Sequence, residues 1–437
     1  MNNSAKKRAT AVIDSHAEQL IAFGEDILRH PELGFQEART CAKVTEAFEA
    51  LGITEITHPA KTGVKAWLRR ADSPRIAIIG ELDAVVSPQH PCAGERGAAH
   101  ACGHNAQLAA LLGCALGLRE VLEELDGSVC LLAAPAEEYL EIGWRQELRE
   151  RGEIAYLGGK QQLIAEGVFD DIDLAIMVHS ETNAPYPRIV VNGSASGFIG
   201  KTVRFLGKEA HAGGNPWEGV NALNASALAI SAIHFNRETF RDTDCVRVHP
   251  IITKGGDAVN TVPADVHMES YVRAATVEAL REANSKVNRA IRGASFAVGA
   301  DVEIEDLPGY LPLKQNAMLS DLFAENAALI CPEIRVERSL PFCGSTDIGD
   351  VSYLLPVIQP TISGFTGTAH SKDFAISDPS MAYLLPAELM AATVIDLLQD
   401  GAQIAKRILA SSTRHTKNEY AALWDSILGE ETSTLGC

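Results

Sequence analysis

Positive charge is scarce in this chain. Its 437 residues hold 38 Lys and Arg against 57 Asp and Glu, a formal charge of -19. Such a balance repels phosphate backbones and anionic membrane surfaces, so neither nucleic acid nor a membrane is expected as a partner. The opening MNNSAKKRATAVIDSHAEQL lacks the apolar core of a signal peptide, and no later run is expected to reach the roughly 20 apolar residues that cross a bilayer. The nine cysteines include no CxxC pair and are odd in number, which argues against a disulfide framework. A cytoplasmic protein is the expectation. Internal repeats and low-complexity segments are also missing.

The apolar fraction is 46% and the charged fraction 22%, ordinary values for a folded protein. The length favours two domains, or one larger domain carrying an insertion. Helical spacing between 15 and 50 is broken at HPELGFQE (30–37), where Pro and Gly mark a turn. RIAIIGELDAVV (75–86) and SVCLLAAPAEE (128–138) read as strands buried on both faces, with a long helix between them. DIDLAIMVHS (171–180) reads as a third such strand. From about 194 the expected order is β, α, β, β, α, β, closing at DVEIEDLP (301–308), which matches a ferredoxin-like split βαβ unit. The α/β grain then resumes. The expected architecture is α/β: a discontinuous mixed-sheet domain flanked by helices (1–193 and 309–437), with an inserted ferredoxin-like α+β domain (194–308).

Chemistry in open α/β sheets collects at the carboxyl ends of strands, and Asp83, Glu137, Glu138 and His179 are expected there. Cys102 and His104, two apart in HACGHN at the start of a helix, form a thiolate and imidazole pair suited to a divalent transition metal. The adjacent carboxylates Glu137 and Glu138 could divide into one base and one ligand. His370 in GTAHSKDF and His211 in GKEAHAGGNPWEGVNA are each a structural histidine or a functional one. Asn260 and Arg273 could read a carboxylate or polarise a carbonyl. Ser345 and Thr346, in GSTDIGDVSYLLP, are helix-capping candidates together with Asp347, and candidate substrate contacts as well.

Taken in order, HPELGFQE, GELDA, HACGHN, APAEE, VH at 178–179, KEAHAGGNPWEGVNA, NTVPADV, GSTDIGDVSYLLP and AHSKDF resemble the M20 family of metallopeptidases and amidohydrolases. The nearest branch holds aminoacylases, auxin-conjugate hydrolases and aminobenzoyl-glutamate hydrolases. The resemblance implies metal ligation by Cys102, His104, Glu138, His179 and His370, with Cys102 bridging when two ions are present. It implies Glu137 as general base, Asp83 as the carboxylate that orients the site, and Asn260 as a lid contact to substrate. It also implies that the lid domain dimerises and that His211 reaches a partner's site, so a homodimer or higher homo-oligomer is expected.

The implied activity is hydrolysis of a carbon–nitrogen bond in a small carboxylate-bearing molecule, foremost the amide of an N-acyl or N-aroyl amino acid, by metal-activated water. The expected cofactor is Mn2+ or Zn2+, with Co2+ or Ni2+ as further options, as one ion or two. One alternative is hydrolytic deamination of an aromatic amine such as 5-nitroanthranilate, by substitution at the ring carbon. Another is a catalytically silent binder, whose mark would be a lost base or lost ligands. Three features depart from the family. Asn105 and Gln107 replace the Asp and His common among aminoacylases, which predicts fewer or weaker metals. The stretch 139–157, with Tyr139, Trp144, Arg145 and Arg149, is an insertion, and the link at 85–98 is long; both flank the expected metal and bear on substrate identity.

Overall fold

Two runs of small and branched apolar residues, Arg75–Glu81 and Ser128–Ala134, pair in parallel at the centre of a six-stranded sheet. A computed structural model describes residues 3–72 and 74–429 and resolves them into two compact units. The first unit comprises residues up to Ser194, Lys314–Pro341 and Asp350–Lys417. Its sheet runs in the order Ile56–Thr57, Val64–Arg69, Ser128–Ala134, Arg75–Glu81, Leu174–Ile176, Val357–Ile358. The first two strands are antiparallel and the other four parallel. The helices His104–Glu120 and Leu385–Leu398 pack on each other and on the first helix, Asn3–Ser15, in one apolar core.

The third expected strand, 171–180, is in fact two. Leu174–Ile176 stays in the large sheet, while His179–Thr182 joins a second sheet beside Thr361–Thr366. The parallel companion breaks at the same level, between Val357–Ile358 and Thr361–Thr366. Pro360 lies in that break and has no N–H for a ladder, although its carbonyl accepts from His179 N at 2.9 Å. His179 therefore opens a strand at a sheet switch rather than ending one.

Two further expectations need correction. Ser380–Leu398 is an apolar helical run of 19 residues, longer than any anticipated, and 89% of it is buried within the protein, as befits a core helix. The strand expected over 75–86 ends at Glu81, and Val85–Val86 instead pairs with Ala98–Ala99 in a short hairpin within the long link.

The second unit comprises Ala195–Leu313 and Phe342–Gly349, and also takes in Asn418–Gly429. Strand Gly197–Leu206, helix Ala222–Phe235, strands Arg247–Lys254 and Asp265–Ala274, helix Val277–Ala297 and strand Asp301–Tyr310 follow in that order. The four strands form an antiparallel sheet ordered 247–254, 265–274, 197–206, 301–310. Burial alternates along Asp265–Ala274, and the two helices cover the apolar face, sharing Ala229, Ile233, Val287 and Ile291 with Val266, Met268 and Val272. The side chains of Asn221 and Thr276 cap these helices, accepting from Asn224 N and Ala279 N.

One buried acid makes the first unit pH-sensitive. Glu388 sits on the core helix beside Asp14, and burial followed by that like charge pushes its carboxyl up to about 8. A carboxyl raised on folding contributes stability in full below its ordinary range, and that contribution disappears as pH climbs through the folded value. Thermal unfolding across pH 5 to 9 should show stability falling by about 1.4 kcal/mol per pH unit up to about pH 8 and levelling off above it. Glu388→Gln should flatten that slope and exceed the parent in stability at pH 9.

Candidate functional site

The first unit brings Asp83, Cys102, His104, Glu137, Glu138, His179 and His370 to one place. Cys102 and His104 flank Gly103, whose φ of +89° and 3.0 Å approach of its Cβ position to Ser180 exclude a side chain. The turn there lets the thiol and the first residue of helix His104–Glu120 face the same point. His104 donates from Nδ1 to the Asp83 carbonyl at 2.8 Å, and His179 from Nδ1 to the Ser180 carbonyl at 3.1 Å. In the neutral form of each ring the lone pair is then on Nε2, the atom that could ligate a metal. His179 Nε2 lies 3.5 Å from Cys102 Sγ, and His370 Nε2 lies 3.1 Å from Glu138 Oε1.

Donor atoms of Cys102, His104 and His179 lie within 4.8 Å of one another, and so do those of Cys102, Glu138 and His370. The shared member is Cys102. His104 Nε2, Glu138 Oε1 and Asp83 Oδ1 are buried and have no hydrogen-bond partner of good geometry, and a cation among them would relieve that deficit. Thiolate, imidazole and carboxylate are also the donors that Zn2+ and Mn2+ accept, so the residues fit a divalent ion.

The electrostatics agree. Burial pushes the Cys102 thiol up, but the His179 and His104 imidazoles outweigh it and bring the thiol down to about 6. Burial likewise opposes ionisation of Glu138, and His370 overcomes it. Glu138 in turn holds His370 up at about 11. The cluster is thus built around anions that the neighbouring imidazoles favour.

Sequence reasoning missed the carboxylate nearest His104. Glu81 is the last residue of its strand and fully buried, with Oε2 3.1 Å from His104 Nε2. Its other oxygen meets the equally buried Lys160 Nζ at 2.5 Å, and Gln107 Nε2 donates to Oε2 at 2.8 Å. Burial raises Glu81, but Lys160 and then the two imidazoles bring it down to about 2. Removing one member of a buried pair of this kind costs about 3–5 kcal/mol. The signal was present: an apolar strand ending in Glu requires a buried counter-charge.

Asn105, the amide that replaces an Asp common among aminoacylases, is fully buried. Its amide donates to the Gly24 carbonyl and the Tyr383 hydroxyl, both at 3.2 Å. The 139–157 insertion contains a helix, Ile142–Glu150, whose Arg145 is buried, donates to Leu157 O at 2.7 Å and lies over the Phe35 ring. Arg145 thus braces the HPELGFQE turn, and Tyr139 is buried as well, so neither is an exposed pocket wall.

The other expected residues, His211, Asn260, Arg273, Ser345 and Thr346, belong to the second unit. His211 is exposed, and its Nδ1 accepts from Gly213 N and Gly214 N, leaving the proton of the neutral ring on Nε2. Its loop is tied to that of Asn260 through Ala212 N to Asn260 O at 2.9 Å. Arg273 lies over the Phe198 and Tyr271 rings and donates to Ser345 Oγ at 2.6 Å. Thr346 is buried, and its carbonyl accepts from Gly349 N at the start of helix Ile348–Leu354, so it serves the turn as well.

Comparison with known proteins places this geometry in context. Residues 77–394 match the model of peptidase family M20/M25/M40. The chain is 32% identical over 418 residues to the Xaa-Arg dipeptidase of Mus musculus, covering 90% of this chain and 89% of that one. It is 27% identical to one of the chains of the Escherichia coli p-aminobenzoyl-glutamate hydrolase, covering 89% of this chain and 91% of that one. Among solved structures, a dinuclear metal-binding peptidase of the M20 family from Bacillus subtilis superposes with a TM-score of 0.67 at 23% identity, over 88% of this chain and 99% of that one. The chain belongs to peptidase family M20/M25/M40 and is a hydrolase of carbon–nitrogen bonds.

Proposed function

We propose that this enzyme hydrolyses the amide bond of a small N-acyl or N-aroyl amino acid, or of a dipeptide, with a divalent metal as cofactor. The observation that carries this reading is the convergence of Cys102, His104, Glu138, His179 and His370 beside Glu137, whose Oε2 is 3.8 Å from His104 Nε2. Those five residues would hold the metal, Mn2+ or Zn2+ foremost, with Co2+ or Ni2+ also compatible with the donors. The two donor groups sharing Cys102 give room for one ion or two. When bound, such an ion makes water a nucleophile near neutral pH and polarises a carbonyl.

Glu137 takes the proton of the attacking water and passes it to the departing nitrogen. Asp83 fixes His104 and Glu138 and remains an orienting group. The second unit acts as a ferredoxin-like lid, in which His211 donates from Nε2 to the developing oxyanion. Arg273, Ser345, Thr346 and Asn260 bind the carboxylate and amide of the substrate. Strand Arg247–Lys254 lies at the edge of its sheet with Ile251 and Ile252 exposed, and Leu223, Leu228 and Phe235 are exposed on the neighbouring helix. An apolar edge of this kind supports a homodimer. The eight described cysteines are free thiols, in keeping with a cytoplasmic setting. Both relatives described above are named for cleavage next to an amino acid, which favours the amide over the aromatic amine.

Metal-loaded enzyme should release free amino acid from N-acyl amino acids, aminobenzoyl-glutamate or an Xaa-Arg dipeptide. Ammonia from ortho-aminobenzoates, with no amide cleaved, would contradict the reading. Glu137→Gln should lower kcat about 10²–10⁴-fold while the bound metal, read by mass spectrometry of the elements, is unchanged. If His211 serves the partner's site, mixing inactive Glu137→Gln and His211→Ala protein should restore up to about a quarter of parental activity, because half the dimers then contain one intact site. No recovery after protomer exchange would place His211 in its own protomer's site or outside catalysis.

A further inference from the structure

The turn HPELGFQE contains no group that the proposed chemistry uses, yet its contacts reach both loops that carry the acids. Glu37 is fully buried. Its Oε1 accepts the Ala136 N–H at 2.8 Å, and its Oε2 accepts from the Thr62 hydroxyl. Ala136 immediately precedes Glu137 and has a φ of +49°, a conformation that a residue with a Cβ adopts only when its surroundings impose it. On the other side of that residue, the Ala136 carbonyl accepts from Gly159 N at 2.9 Å. Gly34 leaves no room for a side chain, since a Cβ there would lie 2.8 Å from Ala136 Cα.

The same turn grips the other loop. Glu32 O accepts from Ala84 N at 2.8 Å, and Leu33 bridges to Ala84, the residue after Asp83. Asp83 Oδ2 then accepts from Glu138 N at 2.9 Å, which closes the circuit between the two loops. We infer that Glu37 is a positioning residue for Glu137: its carboxylate, holding the Ala136 N–H, keeps that residue in its left-handed conformation and so aims the next side chain.

This inference rests on the reading in which Glu137 is the base. In that frame Glu37→Ala should lower kcat 10- to 100-fold, with KM within twofold and metal content equal to the parent's. Glu37→Gln, which keeps an oxygen for the Ala136 N–H, should retain at least a third of parental kcat. Hydrogen exchange supplies a readout that needs no substrate. A peptide spanning 133–141 should exchange at Ala136 at least tenfold faster in Glu37→Ala than in the parent. If that variant does not fold, Glu37→Asp, one carbon shorter and still charged, carries the same test. Unchanged kcat with unchanged exchange overturns the inference, as does a loss of kcat matched by loss of metal. If the parent itself cleaves none of the amides, the functional reading fails, and the exchange result still decides whether Glu37 holds Ala136.

Discussion

Asp83 is the residue on which the rest of the site depends. Its backbone carbonyl takes the Nδ1 proton of His104, its carboxylate takes the N–H of Glu138, and its neighbour Ala84 is tied to the turn at Glu32. One short loop at the end of a parallel strand thereby fixes a histidine on a helix and a glutamate on another loop. Because these contacts are buried and local, they hold donors in place more tightly than the long side chains could by themselves.

Burying so many ionisable groups is costly unless each is matched. The structure solves this twice with unlike means. Near His104, Glu81 and Lys160 form an ion pair that no solvent reaches, with Gln107 bonded to the same carboxylate. Near Glu137, a backbone N–H and a hydroxyl satisfy Glu37, which burial and then the Asp83 charge push up to about 7. A protonated Glu37 can still accept from Ala136 N, so the hold on that loop does not require its charge.

Much of this was legible in the chain because the central strands that carry the site are continuous apolar runs, and because GELDA and APAEE lie at the carboxyl ends of two of them. The helix from His104, the break at HPELGFQE and the strands at 75 and 128 follow from periodicity and turn chemistry alone. What escaped depends on tertiary partners. Lys160 looks like an ordinary surface lysine until Glu81 is seen beside it, and nothing local shows that the Asn105 amide reaches Gly24 and Tyr383. The split of 171–180 between two sheets turns on Pro360, almost two hundred residues away in sequence. Long-range matching of this kind leaves no local pattern to read.

In the proposed function the two units divide the work chemically. The first carries the thiolate, imidazoles and carboxylates suited to a metal, and the second carries His211, Arg273 and Asn260, groups suited to the organic part of a substrate. The central claim is that Cys102, His104, Glu138, His179 and His370 hold the catalytic metal. Anomalous diffraction from crystals of the Mn2+- or Zn2+-loaded protein tests it most directly. The account predicts one or two peaks, each at coordination distance from Cys102 and from at least two of the other four residues. A peak held only by other side chains, or none at saturating metal, would contradict it.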